Sequence, residues 1–381
     1  MKRAVVAVYV DPDFFPPTIN AILNLAGQMD EVVVISRNNS VDDYPYPPNV
    51  RLRKIGKQVS VRDMEKQPLL TKISSFLQFS FSLYREAKNK ATDLVLLYDP
   101  FALFAFFVLR RFWHKKKVWY HNHDLPDLGK LRKYSLGYWA AKYELKAMKH
   151  IDFFSLPSRE RLAFYPMLKP EIPVFIIPNY PSLQVYKREH KTHFENDRVR
   201  IIYQGFIGPG HGLEVITKLL GEKINGYELQ LVLKGSVSDD YRSSIDQLAK
   251  EYNVTGQVNW IGIGGYRDLP SLTRGCDIGI GINANSDAVS LTQGTSSNKI
   301  YEYAASGLPV LVNNNEQFNK YLGSYGWVYF TDGSEIVTRK MLEAIIKNIP
   351  SDCKSGRKEF ENSLNFEMHF KPALEKVFKG H

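Results

Sequence analysis

Hydrophobic positions fall along this chain in two patterns: short unbroken apolar runs of strand length, and longer stretches with apolar residues at helical spacing. Ala4–Val10, Glu31–Ser36, Asp93–Tyr98, Val118–Tyr120, Ile151–Leu156 and Val174–Pro178 read as strands buried on both faces, the pattern of a parallel sheet. Between them, Thr18 is placed to cap a helix carrying Ile19, Ile22, Leu23 and Leu25, and Pro100 opens a Phe-rich helix through Leu109. A helix is predicted over Leu131–His150, and a shorter one capped by Ser158. Gln184–Arg198 is polar and charged without apolar periodicity and reads as a linker. The pattern then restarts, with strands at Arg200–Tyr203, Tyr227–Lys234, Val258–Gly262, Asp277–Ile282 and Leu308–Val312. Helices are predicted at Leu213–Leu220, Ser244–Tyr252, Asp268–Arg274, Lys299–Ala305, Glu335–Ile349 and Phe366–Phe378.

Strands alternating with helices in two successive blocks predict an α/β protein with two Rossmann-like β/α/β domains facing across a cleft. The boundaries are 1–183 for the first domain, 184–198 for the linker, 199–362 for the second domain and 363–381 for a helix returning to the first. A length of 381 residues is enough for two domains that each bury a core. Two cysteines, Cys276 and Cys353, form neither a disulfide framework nor a Cys-x-x-Cys pair, which predicts a reducing cytoplasmic setting. The apolar start ends at Asp11 without a cleavage site, and Leu94–Leu109 is broken by Asp99 and Pro100, so no signal peptide or membrane span is expected.

Charge sharpens the division. The net charge is +10, and residues 1–185 hold 27 Lys and Arg against 17 Asp and Glu, while the remaining 23 basic and 23 acidic residues cancel. An anionic partner is therefore expected for the first half: a phosphorylated acceptor or an acidic membrane surface. Arg110, Arg111, Trp113 and Lys115 at the end of the Phe-rich helix are the residues read as resting on anionic headgroups, at the inner face of a membrane. No nucleic-acid-binding motif accompanies the charge, and nucleic acid is not an expected partner. Val10-Asp-Pro-Asp-Phe-Phe carries no Gly-x-Gly-x-x-Gly, which argues against a dinucleotide oxidoreductase.

The chemistry is concentrated in the second half. Gln204-Gly-Phe-Ile-Gly-Pro-Gly-His-Gly-Leu213 is a glycine-rich loop after a strand, where Gly205 and Gly210 let backbone amides approach a phosphate. In Gln293-Gly-Thr-Ser-Ser-Asn-Lys-Ile-Tyr-Glu-Tyr-Ala-Ala-Ser-Gly-Leu-Pro309, the residues Ser296, Ser297 and Asn298 are N-cap candidates for the helix that Lys299 begins. Helix N–H groups, hydroxyls and Lys299 together make an anion site, and Glu302 one turn in is placed to accept from a sugar's vicinal hydroxyls. Gly307 supplies the left-handed C-cap. In the first half, Tyr120-His-Asn-His-Asp-Leu125 ends a strand, where open α/β sheets place ligand contacts. His121 and His123 should point to opposite sides, which argues against a shared metal, while His123 beside Asp124 suits proton handling. Asp11 and Asp13 form a D-x-D beside prolines, read as a weak metal signature.

Asn298-Lys299-x-x-Glu302-Tyr303-x-x-x-Gly307-x-Pro309 resembles the donor-site signature of the family 4-like glycosyltransferases, and Tyr120–Asp124 and Asn179-Tyr-Pro181 resemble further segments of that family. The resemblance runs in order along nearly the whole chain and is strongest from Tyr203 to Val312. It implies a GT-B fold, a nucleotide-diphosphate sugar on the second domain with its ribose on Glu302, and an acceptor on the first. It further implies metal-independent transfer, usually with retention, and no cofactor. With His123 in the family's histidine position, the expected mechanism has His123 in contact with the sugar and Asp124 or Asp13 orienting the acceptor. Two departures stand out. Phe206 and His211 replace the basic pair the family carries around its glycine-rich loop, leaving Lys234 and Lys299 as the cations, and Gly294 stands where the family often has an acidic residue. The expected activity is transfer from a nucleotide sugar, a UDP-sugar foremost, to a glycan or lipid-linked acceptor. The alternatives are a catalytically degenerate nucleotide- or glycan-binding scaffold and a nucleotide-sugar epimerase.

Overall fold

The computed structural model describes residues 2–39, 43–110, 116–125, 128–187, 197–285 and 288–379. The chain divides into two compact units, Met1–Pro178 with Phe366–His381, and Asn179–Asn365. Among the described residues no helix is long and apolar enough to cross a membrane.

The first unit begins β1 (Arg3–Val8), α1 (Pro16–Ala26), β2 (Glu31–Arg37), β3 (Val50–Ile55), α2 (Val61–Lys66), α3 (Leu69–Ala87) and β4 (Thr92–Tyr98). It continues α4 (Asp99–Leu109), β5 (Lys117–His121), α5 (Leu136–Ala147), β6 (Phe153–Leu156) and β7 (Val174–Ile176). The seven strands are parallel in the order β3-β2-β1-β4-β5-β6-β7, with Val5 opposite Val33 on one side and Val95 on the other. The order reverses beside β1, which opens a crevice at the carboxyl ends of β1 and β4. Both faces of the sheet are buried: Phe76, Phe79, Leu83, Phe106 and Met148 cover one, and Ile22, Leu25, Phe370 and Leu374 the other.

The second unit contains β8 (Arg198–Gln204), α6 (Leu213–Leu219), β9 (Lys223–Ile224), β10 (Tyr227–Lys234), α7 (Asp239–Glu251), β11 (Val258–Gly262), α8 (Leu269–Arg274) and β12 (Ile278–Ile280). After these come α9 (Ala288–Leu291), α10 (Asn298–Ala305), β13 (Val310–Asn313), α11 (Glu316–Leu322), β14 (Val328–Thr331) and α12 (Glu335–Asn362). Its parallel sheet runs β11-β10-β8-β12-β13-β14, and the short β9 pairs antiparallel with β10. The last helix, α13 (Phe366–Lys379), belongs to the first unit, where Glu367 accepts from Asn24 of α1 at 3.4 Å. Both units are α/β with Rossmann-like topology.

Local chemistry moved several expected boundaries. Thr18 does not cap α1: the helix begins two residues earlier on Pro16, whose missing N–H suits a first turn, and Thr18 is left to bond elsewhere. The helix expected over Leu131–His150 starts only at Leu136, because Ser135 accepts from the Tyr138 amide at 3.1 Å and the preceding Tyr134 is left-handed. Ser158 caps nothing, and the turns after it are a 3-10 stretch, Arg159–Phe164. α7 starts five residues earlier than its apolar pattern, set by the Ser238 cap. α12 continues through Pro350 to Asn362, since Ile345, Ile349, Cys353 and Phe360 keep one buried face across the proline. The hydrophobic pattern did not single out β3, α2, α3, β9, α11 or β14. Residues 188–196 of the expected linker, and Arg111, Trp113 and Lys115, lie outside the described residues. Arg110 is described, and its guanidinium lies 4.0 Å over the Phe107 ring and donates to the Phe107 carbonyl.

Candidate functional site

The carboxyl edge of the second sheet is drawn tight by glycine. The Gly205 amide donates to the Lys234 carbonyl at 2.9 Å, and the Gly235 amide donates to the Gly262 carbonyl at 3.0 Å. Gly205 and Gly235 have φ of 120° and 144°, and a Cβ on Gly235 would collide with the Gly205 carbonyl. Only glycine permits this approach of the loops after β8 and β10. The loop closes on α6, whose N-cap Gly212 is left-handed.

Onto the same edge comes the N-terminus of α10, since the loop from β12 reaches its helix at the strand's carboxyl end. Ser297 occupies the N-cap position, yet its side chain bonds no helix N–H. Ser296 Oγ donates instead to the Thr292 carbonyl at 3.2 Å, and Asn298 is the first helical residue, its Oδ1 buried without a partner. The expected side-chain cap is therefore absent, and the Ser296 hydroxyl is held within its own turn. Asn179 braces this turn from behind: its amide donates to the Thr295 carbonyl at 3.0 Å and its Nδ2 to the Ser296 carbonyl at 2.9 Å.

Lys299 is half-buried, with Nζ 3.0 Å from Tyr203 Oη and 4.5 Å above the Tyr203 ring. Desolvation lowers its pKa to about 8, and Glu302 acts against that shift. Glu302 is 3% exposed, and Gln204 Nε2 donates to its Oε2 at 2.5 Å. Burial raises its pKa to about 7, opposed by hydrogen bonds from Gln204 and Tyr266 and by the Lys299 charge. Gln204 is itself fixed, its Oε1 accepting from Thr273 Oγ1 at 2.9 Å.

His211 cannot replace a cation. Its Nδ1 lies 3.1 Å from the Ile282 carbonyl, and burial beside Lys299 lowers its pKa to about 4, so it is neutral at pH 7. Lys234 Nζ donates to the Gly262 carbonyl at 3.1 Å, and desolvation lowers its pKa. Phe206 is exposed. Gly210 is left-handed and packs on the Asn285 side chain. Gly294 has no room for a side chain: a Cβ there would run into the Tyr321 ring, so an acidic residue cannot be accommodated without moving it.

The residues expected on the first unit separate into two groups. His123, just beyond β5, is buried and stacked between Phe15 and Tyr98, with centroids at 5.1 and 4.7 Å. Asp99 accepts from its backbone amide at 2.9 Å and from Nδ1 at 3.0 Å, which places the proton on Nδ1 and directs Nε2 to Thr18 Oγ1 at 3.2 Å. Arg161 donates to the His123 carbonyl. His121 and His123 do not diverge as an extended strand would have them; the strand ends at His121, the chain bends, and the rings stand 5.0 Å apart. Asp124 is exposed, 4.0 Å from Arg161.

Asp13 belongs to the second group. It accepts from the Tyr44 amide at 2.9 Å and Tyr46 Oη at 3.3 Å, and burial beside Asp11 raises its pKa to about 6. Asp11 pairs with Lys54 at 2.7 Å. Among the described residues no group of three His, Cys, Asp or Glu is placed to hold a metal ion. Sequence reasoning missed Asp99, Gln204, Asn179 and Tyr203. Asp99 left a local signal, an Asp-Pro at a strand end, and it is left-handed at φ 63°.

The fold defined by these two units is that of the GT-B class, as the solved structures it resembles show. Sucrose-phosphate synthase from Thermosynechococcus elongatus matches with a TM-score of 0.68 at 13% identity, covering 100% of this chain and 98% of its own. HepE of Anabaena, solved in complex with UDP and glucose, matches with a TM-score of 0.67 at 12% identity over 100% of both chains. WaaG, a glycosyltransferase involved in lipopolysaccharide biosynthesis, matches with a TM-score of 0.66 at 12% identity, covering 99% of this chain and 100% of its own. No protein-family model matches the chain, and no curated protein sequence does.

Proposed function

We propose that this protein is a glycosyltransferase that takes a sugar from a nucleotide-diphosphate donor, a UDP-sugar foremost, and passes it to a glycan or lipid-linked acceptor with retention and without metal or cofactor. The observation that carries this reading is the start of α10, with first-turn amides lacking a side-chain cap, Lys299 beside them and Glu302 one turn in. A departing diphosphate develops negative charge, and helix amides and lysines are the groups that stabilise it. On this reading the diphosphate lies over Ser296–Lys299 and the Gly205–Gly212 loop, and Lys234 lends a second cation. Glu302 accepts from the ribose hydroxyls. His123 contacts the sugar, and Asp124 or Asp13 orients the acceptor hydroxyl. HepE, whose fold this chain shares, has been solved with UDP-glucose as well.

A second reading rests on a specific observation. With His211 neutral and Phe206 exposed, the glycine-rich loop offers no charge of its own, which favours a scaffold that binds nucleotide or glycan without turnover. Melting curves with UDP, GDP, ADP and their sugars, on wild type and Glu302→Ala, test both readings. Saturation at about 100 times Kd stabilises by roughly 2.7 kcal/mol. A shift from one nucleotide family that Glu302→Ala loses supports the donor site, and sugar release from that donor separates enzyme from scaffold. No shift from any of them overturns the donor site and leaves the scaffold as the better reading.

A further inference from the structure

Helix α3 has two apolar faces, and the core uses only one. Phe76, Phe79, Leu83 and Ala87 are buried against the first sheet. On the opposite side Leu70, Ile73, Leu77 and Phe81 are 81%, 43%, 56% and 61% exposed. Their spacing of three and four residues makes one continuous stripe, about 16 Å long at the helical rise. A face already serving the core on its other side has no folding reason to be apolar here, so the stripe calls for a partner.

Charge identifies the partner. The only acid in α3 is Glu86, a buried carboxylate that pairs with Arg3, Arg51 and Arg53 and, at 3.7 Å, with the exposed Arg85. Cations stand at the trailing end of the stripe: Arg85, Lys88 and Lys90, all exposed. Before the stripe, Lys66 is offset by Asp63 at 3.5 Å. An apolar row with a basic end fits a bilayer surface, where side chains enter the acyl boundary and cations meet lipid phosphates. A two-fold contact with a second copy would set this carboxylate-free face on itself and bring like charges together.

We propose that α3 is a membrane-surface helix that seats the first unit on an anionic bilayer through Leu70, Ile73, Leu77 and Phe81, with Arg85, Lys88 and Lys90 at headgroup level. This is independent of the glycosyltransferase reading.

Flotation of the full chain on vesicles tests it, comparing equal parts phosphatidylglycerol and phosphatidylcholine with phosphatidylcholine alone. The protein should float with the anionic vesicles and not with the neutral ones. Leu77→Glu with Phe81→Glu should abolish flotation while leaving the melting temperature unchanged, because both side chains are exposed. Arg85→Gln with Lys88→Gln, which keeps the stripe, should weaken partition by roughly fivefold per cation. Absence of flotation on anionic vesicles overturns the proposal, as does flotation that survives Leu77→Glu with Phe81→Glu. A wild-type dimer that this double variant dissolves, without lipid binding, would give the face to a second copy and overturn it equally.

Discussion

The two units place polar side chains at the carboxyl ends of similar parallel sheets, and they treat them in opposite ways. His123 itself has its partners: Asp99 takes both N–H groups, Thr18 faces Nε2, and two rings clamp the imidazole. At the start of α10 they are incomplete, with no side-chain cap, an unpartnered Asn298 Oδ1, and Lys299 and Glu302 both shifted toward neutrality by burial. A satisfied cluster holds one geometry whether or not anything binds. An unsatisfied one is stabilised by the ligand that completes it, because buried polar groups without partners cost free energy. The comparison therefore predicts that substitutions in the second unit change ligand response, while those around His123 change stability first.

The largest effect should follow from removing the cation. Lys299→Met is expected to cut sugar transfer by on the order of 10²–10³ and to abolish the melting shift with UDP, measured by single-turnover kinetics and melting curves. A fall of less than tenfold would take the diphosphate away from α10. Adding a side chain should do harm as well. Gly294→Glu restores the acid the resembling family carries, yet it should destabilise by about 1–3 kcal/mol in denaturant unfolding, because Tyr321 fills the space.

For the satisfied cluster, Asp99→Ala leaves two buried N–H groups of His123 without an acceptor and should cost about 1–3 kcal/mol. Asp99→Asn keeps one acceptor oxygen and tolerates the left-handed backbone, so it should cost less. If both variants melt like wild type, His123 is not held by Asp99. On pH, Glu302 at about 7 must ionise to accept from a ribose and Lys299 at about 8 must stay protonated to meet a phosphate. Nucleotide affinity, followed by calorimetry, should therefore peak between pH 7 and 8 and fall on both sides.

A pH effect on stability alone concerns Glu144, which accepts from Tyr120, Asn122 and Tyr165, and whose pKa burial raises from 4.5 to about 7. The folded state holds the extra proton, so the stability it contributes is full below about pH 4.5 and lost as pH rises through 7. Glu144→Gln should flatten that slope in melting curves recorded from pH 5 to pH 8, leaving nucleotide response unchanged.

Much was legible from the chain alone. Apolar runs of strand length separated by helical periodicity determined two α/β blocks, since a parallel sheet buried on both faces admits few other patterns. Gly307 and the helix from Lys299 to Ala305 followed from local backbone preferences, which need no distant partner. What the sequence could not contain was who meets whom. Asp99 reaches His123 across 24 residues, Gln204 reaches Glu302 across 98, and Asn179 braces a turn 117 residues away. Tyr321 closes the space at Gly294, and the face of α3 left uncovered depends on which of its two apolar sides the sheet took. Those outcomes belong to tertiary structure, because hydrogen bonds and packing between residues far apart in sequence leave no periodic trace in it.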